Sequence, residues 1–256
     1  MHPRVHIRSW NREKEDFLKK GTLYGVGVGP GDPELMTLKA VRIIRECEVA
    51  AIPSKEKETC VAYGIARRAV PELEKKKILG VRMPMTRDQK ILEDSYEKAA
   101  KQVKEQLDQG KNVAFLTLGD PCIYSTYLYV HERVKAEGYP VEIINGIPSF
   151  CAVSAKLKEG LVNRSQKLFV IPASYQEDTM PAEEGTYVYM KAGRKTGELA
   201  GAIQKNGETF VMVENCGMDG ERIIRNREEI PERPSYYSMV IVKKEETKKQ
   251  AAKAAE

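Results

Sequence analysis

Short apolar runs rich in β-branched residues alternate with longer segments of helical periodicity in the first half of the chain. The runs predict strands at 23–29, 49–52, 78–83 and 113–118. The longer segments predict helices at 34–47, 59–70, 88–109 and 124–137. Because strands that alternate with helices pair in parallel, this half predicts a parallel sheet with helices on both faces.

After Gly138-Tyr139-Pro140 the predicted strands follow one another more closely. They lie at 141–145, 167–173, 186–191, 209–214 and 236–242, with helices at 149–157 and 196–205. The pattern predicts a second α/β unit with a mixed sheet, so the fold class is α/β with two α/β domains. The predicted divisions are an N-terminal extension (1–20), an N-terminal domain (21–138), a C-terminal domain (139–243) and a charged tail (244–256).

Composition excludes several classes of protein. The chain has 256 residues, 41% of them hydrophobic, which is enough for a substantial core. It contains no apolar run long enough for a membrane span, and its N-terminus lacks the apolar region of a secretory signal, so a cytoplasmic protein is expected. The net charge of +5 lies in the two tails, because residues 21–242 contain equal numbers of basic and acidic side chains. Bulk charge therefore gives no support for nucleic-acid binding.

Cysteine and histidine are too sparse for several kinds of chemistry. The five cysteines are scattered and form no CxxC pair, which is typical of a reduced protein without structural zinc, and no metal site is expected. His131 is the one histidine outside the N-terminal extension. It lies among charges in a helical segment, so we expect it at the surface and expect catalysis that does not use histidine.

The first motif is the glycine-rich stretch Gly25–Pro33, which ends a predicted strand and opens a helix. Glycines allow close approach of the backbone to a ligand, and Asp32-Pro33 is a favourable helix-capping pair. The spacing is not that of a dinucleotide fingerprint, because its third glycine would fall on Pro30 or Asp32, and no GK[ST] follows. A plain strand–turn–helix junction stays an open alternative.

Four further turns follow predicted strands, and each could either cap a helix or bind a ligand. They are Leu116–Thr126 with its Gly-Asp-Pro, Asn145–Phe150, Tyr189–Lys195 and Val213–Met218. Ligands of open α/β sheets bind at the carboxyl ends of strands, so the two Gly-Asp-Pro turns are expected to border one crevice.

Taken in order, the segments YGVGVGPGDPELMTLKAVRII, LTLGDPCIYST, INGIPSF, VENCGMDGERI and YYSMVIV resemble the tetrapyrrole (corrin/porphyrin) methyltransferase family. The similarity covers roughly residues 21–243. It implies the class III methyltransferase fold, with S-adenosylmethionine (SAM) between two α/β domains, and a homodimer. The SAM contacts that it implies are Pro30, Leu118, Gly119, Asp120, Ile123, Ser125, Thr126, Pro148, Ser149, Met190, Asn215 and Cys216.

The resemblance also implies a reaction, namely SAM-dependent methylation of precorrin-2 or cobalt-precorrin-2 at C20 in cobalamin biosynthesis. Members that methylate uroporphyrinogen have an Asp and a Lys after the second and third strands, but here those positions fall at Pro53-Ser54 and near Arg82-Met83. This departure argues against uroporphyrinogen as the substrate. Methylation at C11 or C17, a diphthamide-type activity and a ligand-binding module without catalysis remain alternatives, and whether the substrate contains cobalt stays open.

Two sets of side chains are candidates for the chemistry. Asp120 is expected to orient the macrocycle or to accept the C20 proton, with Asp32 as the second candidate. The substrate has many carboxylates, so cations that follow strands are expected to bind it. These are Arg82, Arg87, Lys191 and Arg194.

Overall fold

The structure, a computed structural model, describes residues 20–173 and 183–244. The chain divides into two compact units, the first extending to Gly29 and then from Pro33 to Ile147. The second consists of Pro30–Asp32 and the chain from Pro148 onward. Apart from Lys20 and Lys244, the predicted N-terminal extension and C-terminal tail lie outside the described residues.

The first unit alternates strands and helices as predicted. Its strands are β1 (Leu23–Gly27), β2 (Val49–Ile52), β3 (Lys77–Gly80), β4 (Val113–Thr117) and β5 (Val141–Ile144). Its helices are α1 (Leu38–Glu46), α2 (Val61–Ala69), α3 (Gln89–Leu107) and α4 (Tyr127–Ala136). The strand order is β3-β2-β4-β1-β5, and every neighbouring pair is parallel.

Helices cover both faces of this sheet because successive strand residues point to opposite sides. Ala114 and Leu116 of β4 pack in a core with α1 and α2, whereas Val113 and Phe115 pack in a second core with α3 and α4. All four side chains are buried. The central strands β1, β2 and β4 have no polar face, which explains why they are continuous apolar runs in the sequence.

Helix α1 begins later than the sequence predicts. Asp32 precedes a short 3-10 turn, Pro33–Leu35, and α1 itself begins at Leu38 with Thr37 as its N-cap. The Thr37 hydroxyl oxygen accepts a hydrogen bond from the Ala40 backbone N–H at 3.2 Å. Because this bond satisfies an N–H group that the helix leaves free, the prediction of Asp32 as the cap of this helix is wrong.

Strand β5 belongs to the first sheet, whereas its sequence pattern predicted a strand of the second domain. It pairs in parallel with β1 from Leu23↔Val141 to Val26↔Ile144. Gly138, at φ 77°, ends the region of α4, and the short connection through Pro140 returns the chain to the same sheet. The boundary predicted between residues 138 and 139 therefore falls too early, since the first unit continues to Ile147.

His131 is buried, contrary to the surface position expected for it. Its exposed fraction is 6%, and its Nδ1 lies 2.9 Å from the hydroxyl oxygen of Tyr127. Burial lowers the pKa of the imidazole. The Tyr127 ring packs where Gly25 has no side chain, since a Cβ there would lie 2.0 Å from the ring. The prediction that His131 lies at the surface was therefore wrong, because His131 faces inward although its neighbours in the sequence are charged.

The second unit contains a mixed sheet, as predicted. Its elements are α5 (Ser149–Leu157), β6 (Leu168–Pro172), β7 (Gly185–Met190), α6 (Thr196–Lys205), β8 (Phe210–Glu214), β9 (Arg222–Ile224) and β10 (Ser238–Lys244). The order is β6-β7-β10-β8-β9, with β6 and β7 parallel and the other neighbours antiparallel. Strand β9 was not predicted, because its three residues are too few for a periodic pattern. In the described part of the chain, no helix is both long enough and apolar enough to cross a bilayer.

Candidate functional site

In the first unit, a ligand-binding crevice is expected at the carboxyl ends of the neighbouring strands β1 and β4. The chain leaves β1 towards α1 on one face of the sheet and leaves β4 towards α4 on the other. Adjacent strands whose connections diverge in this way form the switch point at which open α/β sheets bind ligands. The two Gly-Asp-Pro turns follow these two strands in the sequence.

Backbone hydrogen bonds join the two loops directly. The Gly119 N–H donates to the Gly29 carbonyl at 2.8 Å, and the Gly29 N–H donates to the Gly119 carbonyl at 3.3 Å. Both residues have positive φ, 75° for Gly29 and 70° for Gly119, which favours glycine at both positions. The loops therefore meet through their backbones.

A third loop, after β5, packs against the other two. A Cβ added to Gly146 would lie 2.1 Å from the Gly119 carbonyl oxygen. A Cβ added to Gly27 would lie 2.6 Å from the same oxygen and from the Gly146 nitrogen. Side chains larger than hydrogen do not fit at these contacts, so the glycines of three separate motifs serve one packing arrangement.

Asp120 holds the second and third of these loops together. Its side chain is buried, its Oδ1 accepts from the Cys122 N–H at 2.7 Å, and its Oδ2 accepts from the Gly146 N–H at 3.0 Å. Oδ2 also accepts from the Asn145 side-chain amide at 3.1 Å. Both oxygens are thus engaged within the protein, so Asp120 fixes the two loops relative to each other, and the proton transfer expected of it stays a prediction.

The end of β4 also contains a buried hydroxyl group without a partner. In the ranges 20–173 and 183–244, Thr117 Oγ1 is the buried side-chain polar atom that lacks a hydrogen bond. A buried polar atom without a partner is unfavourable, and bound ligands or waters commonly satisfy such atoms. Thr117 lies just before Leu118-Gly119-Asp120, so a polar ligand bound at this loop could supply the missing hydrogen-bond partner.

In the second unit, two strained residues follow the parallel strands β7 and β8. Lys191 has φ 57° and Asn215 has φ 50°, the left-handed region that non-glycine residues seldom adopt. Both lie at the same edge of the sheet, because antiparallel β10 pairs with Met190 and Val213 through Met239. Burial lowers the pKa of the Lys191 ammonium group.

Within the same unit, the Pro30–Asp32 segment packs against the turn after β8. A Cβ at Gly31 would lie 2.6 Å from the Cys216 carbonyl oxygen, and a Cβ at Gly217 would lie 3.0 Å from the Asp32 nitrogen. Three of the predicted SAM contacts, Pro30, Asn215 and Cys216, are thus brought into one region although they are distant in sequence.

Comparison with known proteins identifies the family. The model of the tetrapyrrole (corrin/porphyrin) methylases matches residues 22–231. The chain belongs to this family. It is therefore a methyltransferase, as the resemblance of its motifs indicated.

Two curated relatives and one solved structure extend this result. The chain is 32% identical to the "Probable cobalt-precorrin-2 C(20)-methyltransferase" of Methanocaldococcus jannaschii, over 87% of this chain and 96% of the relative. It is 30% identical to a precorrin-2 C(20)-methyltransferase of Sinorhizobium sp., over 87% and 95%. A uroporphyrin-III C-methyl transferase from Thermus thermophilus, solved with S-adenyl homocysteine, has a TM-score of 0.62 at 22% identity, over 87% of this chain and 97% of that one.

The remaining predicted SAM contacts of this methylase have various local roles. Ser125 lies two residues before α4, and its hydroxyl oxygen accepts from the Tyr127 N–H at 3.1 Å. Leu118 packs against the core beside α1 and α2, and Ile123 is half-buried. Thr126 is the exposed residue before α4, and Pro148 and Ser149 lie at the start of α5 in the second unit.

Two of the cations predicted to bind the substrate lie away from the β1–β4 crevice. Arg82 and Arg87 follow β3 and are exposed, and β2 lies between β3 and β4. With strands about 4.8 Å apart, the end of β3 lies about 10 Å from the end of β4. Lys191 follows β7, and the Arg194 side chain lies outside the described part. In the residues that the structure describes, no group of three His, Cys, Asp or Glu side chains could hold a metal ion.

The contacts of two side chains in these loops, Asn145 and Glu214, were not predicted from the sequence. Asn145 lies in a motif that was identified, but its partner Asp120 becomes apparent only when β5 joins the first sheet. Glu214 continues the inward-facing series Phe210 and Met212 of β8, so the two-residue period indicated a buried carboxylate.

Proposed function

We propose that this methylase transfers the methyl group of SAM to C20 of precorrin-2 or cobalt-precorrin-2 in cobalamin biosynthesis. The single observation behind the proposal is the similarity, at 30% and 32% identity over nearly their full length, to two relatives named for C20 methylation. The strand-end loops are in keeping with it, because they lie at the carboxyl ends of neighbouring parallel strands, where open α/β sheets bind ligands.

Bound SAM would supply a methyl group that its sulfonium already activates. The protein then has to align this group with the acceptor carbon and exclude water, and such positioning can lower a barrier by about 7–11 kcal/mol. The loops joined at Gly29, Gly119 and Gly146 are suited to this task because close backbone packing keeps them rigid. The predicted SAM contacts at these strand ends are part of the proposal.

The roles of the two carboxylates differ in this proposal. Asp120 acts through the loops that it joins. Asp32 stays the second candidate acceptor of the C20 proton. Arg82, Arg87, Lys191 and Arg194 remain proposed partners of the substrate carboxylates. The homodimer and the cytoplasmic location also stay predictions.

The experiment is incubation of the purified protein with SAM labelled in its methyl group and with each of the two substrates in turn. We expect mass spectrometry to show one added methyl group, and carbon NMR to place the label on C20. A label at C11 or C17, or on a protein histidine, would assign a different activity. SAM binding without transfer to any tetrapyrrole would indicate a binding module, and the two substrates compared side by side show whether cobalt is required.

A further inference from the structure

Glu214, the last residue of β8, has a carboxylate that is fully buried. Its Oε2 pairs with the Arg222 guanidinium, and its Oε1 accepts from the Ser235 N–H at 2.8 Å and from the Ser238 hydroxyl at 3.1 Å. A buried charge is unfavourable unless such partners compensate for it. The carboxylate therefore ties two separate segments, β9 and the stretch from Ser235 to Ser238, to the end of β8.

The residue next to it, Asn215, is held in its left-handed conformation from the same side. Its N–H donates to the Tyr237 carbonyl at 3.1 Å, and the Ser235 hydroxyl donates to its Oδ1 at 2.7 Å. Its side-chain amide donates to the Gly220 carbonyl at 3.3 Å. Glu214 thus orders the Ser235–Tyr237 segment, and that segment orders Asn215.

The far side of the turn is held by a second carboxylate. Glu221 accepts from the Gly217 N–H at 2.8 Å and pairs with Lys156 at 2.7 Å. The Gly217 N–H and the Lys156 charge lower the pKa of this carboxyl group, which is therefore ionised at neutral pH. The backbone between Asn215 and Gly217 is consequently fixed at both ends.

The Pro30–Asp32 segment rests on this fixed backbone. With a Gly31 Cβ position only 2.6 Å from the Cys216 carbonyl oxygen, there is no free space between the two segments. A shift of the turn by a few tenths of an ångström would move Cys216 and the segment against it together. Both segments contain predicted SAM contacts.

We propose that Glu214 is a positioning residue for the methyl donor. It does not touch the donor itself, but its carboxylate sets the conformation of Asn215 and so the surface that Cys216 and Pro30 present. The inference rests on the proposed function, because it assumes that this surface binds SAM.

The test compares SAM affinity in three proteins by isothermal titration calorimetry. Glu214→Gln keeps the size of the side chain but replaces one acceptor oxygen with a donor, so SAM should bind about tenfold or more weakly. Glu159→Gln is the control, because Glu159 is likewise a carboxylate paired with cations, Lys243 at 2.9 Å and Arg225 at 3.8 Å, but contacts neither segment. It should bind SAM as the unaltered protein does.

Thermal unfolding of each variant distinguishes positioning from stability alone. If Glu214 only stabilises the fold, the folded variant measured well below its unfolding temperature will bind SAM normally, and the proposal is then overturned. Should Glu214→Gln fail to fold, Ser235→Ala removes only the hydroxyl contacts, and we expect about a two- to tenfold loss of SAM affinity. An unchanged affinity in that variant would equally overturn the proposal. Absence of SAM binding by the unaltered protein would instead refute the proposed function.

Discussion

The two units hold their strand-end loops in different ways. In the first unit, β1 and β4 are neighbours in a parallel sheet, so their loops meet backbone to backbone at Gly29 and Gly119. In the second unit, antiparallel β10 separates β7 from β8, and the chain entering β10 lies between the two outgoing loops. Side chains therefore have to bind that incoming segment, as Glu214 does through Ser235.

The electrostatics of the two carboxylates differ accordingly. In the described part of the chain, Asp120 accepts hydrogen bonds from two backbone N–H groups and one amide, which are all neutral donors. Glu214 is compensated by the Arg222 cation as well. The first unit also leaves the Thr117 hydroxyl without a partner, whereas the Ser238 hydroxyl of the second unit contacts Glu214. The loops of the first unit, which pack directly against each other, thus need no cation to hold them. They should, however, tolerate an added side-chain atom less well than the loops of the second unit.

The largest effect should follow from adding volume where the loops of the first unit meet. Gly146→Ala places a Cβ 2.1 Å from the Gly119 carbonyl oxygen, and backbone atoms on both sides cannot yield cheaply. We expect a loss of about 3 kcal/mol or more in the free energy of unfolding, measured in urea, together with loss of SAM binding. Gly64→Ala is the control, because Gly64 lies in α2 with nothing within 4 Å of its added Cβ, and it should gain about 0.5–1 kcal/mol. An unimpaired Gly146→Ala variant would refute the packing argument.

A smaller loss is expected when the carboxylate of the first unit becomes an amide. Asp120→Asn leaves one oxygen for three donors, so at least one buried donor loses its partner, at about 1–3 kcal/mol. Urea unfolding should show this loss, and SAM affinity should fall with it. Asp94→Asn, which breaks only the exposed pair with Lys98, should change stability by less than about 0.5 kcal/mol. A variant with normal stability and SAM affinity but reduced turnover would instead return Asp120 to a catalytic role.

The smallest changes in stability are expected when one hydroxyl group is removed from each unit. Thr117→Val removes a hydroxyl without a partner and keeps its shape, so we expect the unliganded protein to gain about 0.5–1 kcal/mol. Ser238→Ala removes a hydroxyl that contacts Glu214, and we expect a loss of about 0.5–1.5 kcal/mol. Thermal melts of both variants without ligand measure the two changes. Destabilisation by Thr117→Val would mean that its hydroxyl group already has a partner.

The amino-acid sequence alone determined the alternation of strands and helices, the two sheet types and the positions of the motifs. Some of these features follow from the local pattern of apolar residues, as in β4, where every residue is buried. Others follow from local hydrogen bonds, as at Asp88, which caps α3 by accepting from the Ile91 N–H. The order of the motifs was also sufficient to identify the family, since their spacing needs no coordinates.

Only the tertiary structure decided which of these residues act together. Pairing of β5 with β1 brings Asn145 and Gly146 to Asp120, and it also moves the boundary of the first unit to Ile147. The burial of His131 and the network around Glu214 likewise depend on partners that are distant along the chain. The physical reason is that periodicity shows whether a side chain points inward, whereas its hydrogen-bond partners are set by the order of strands in the sheet.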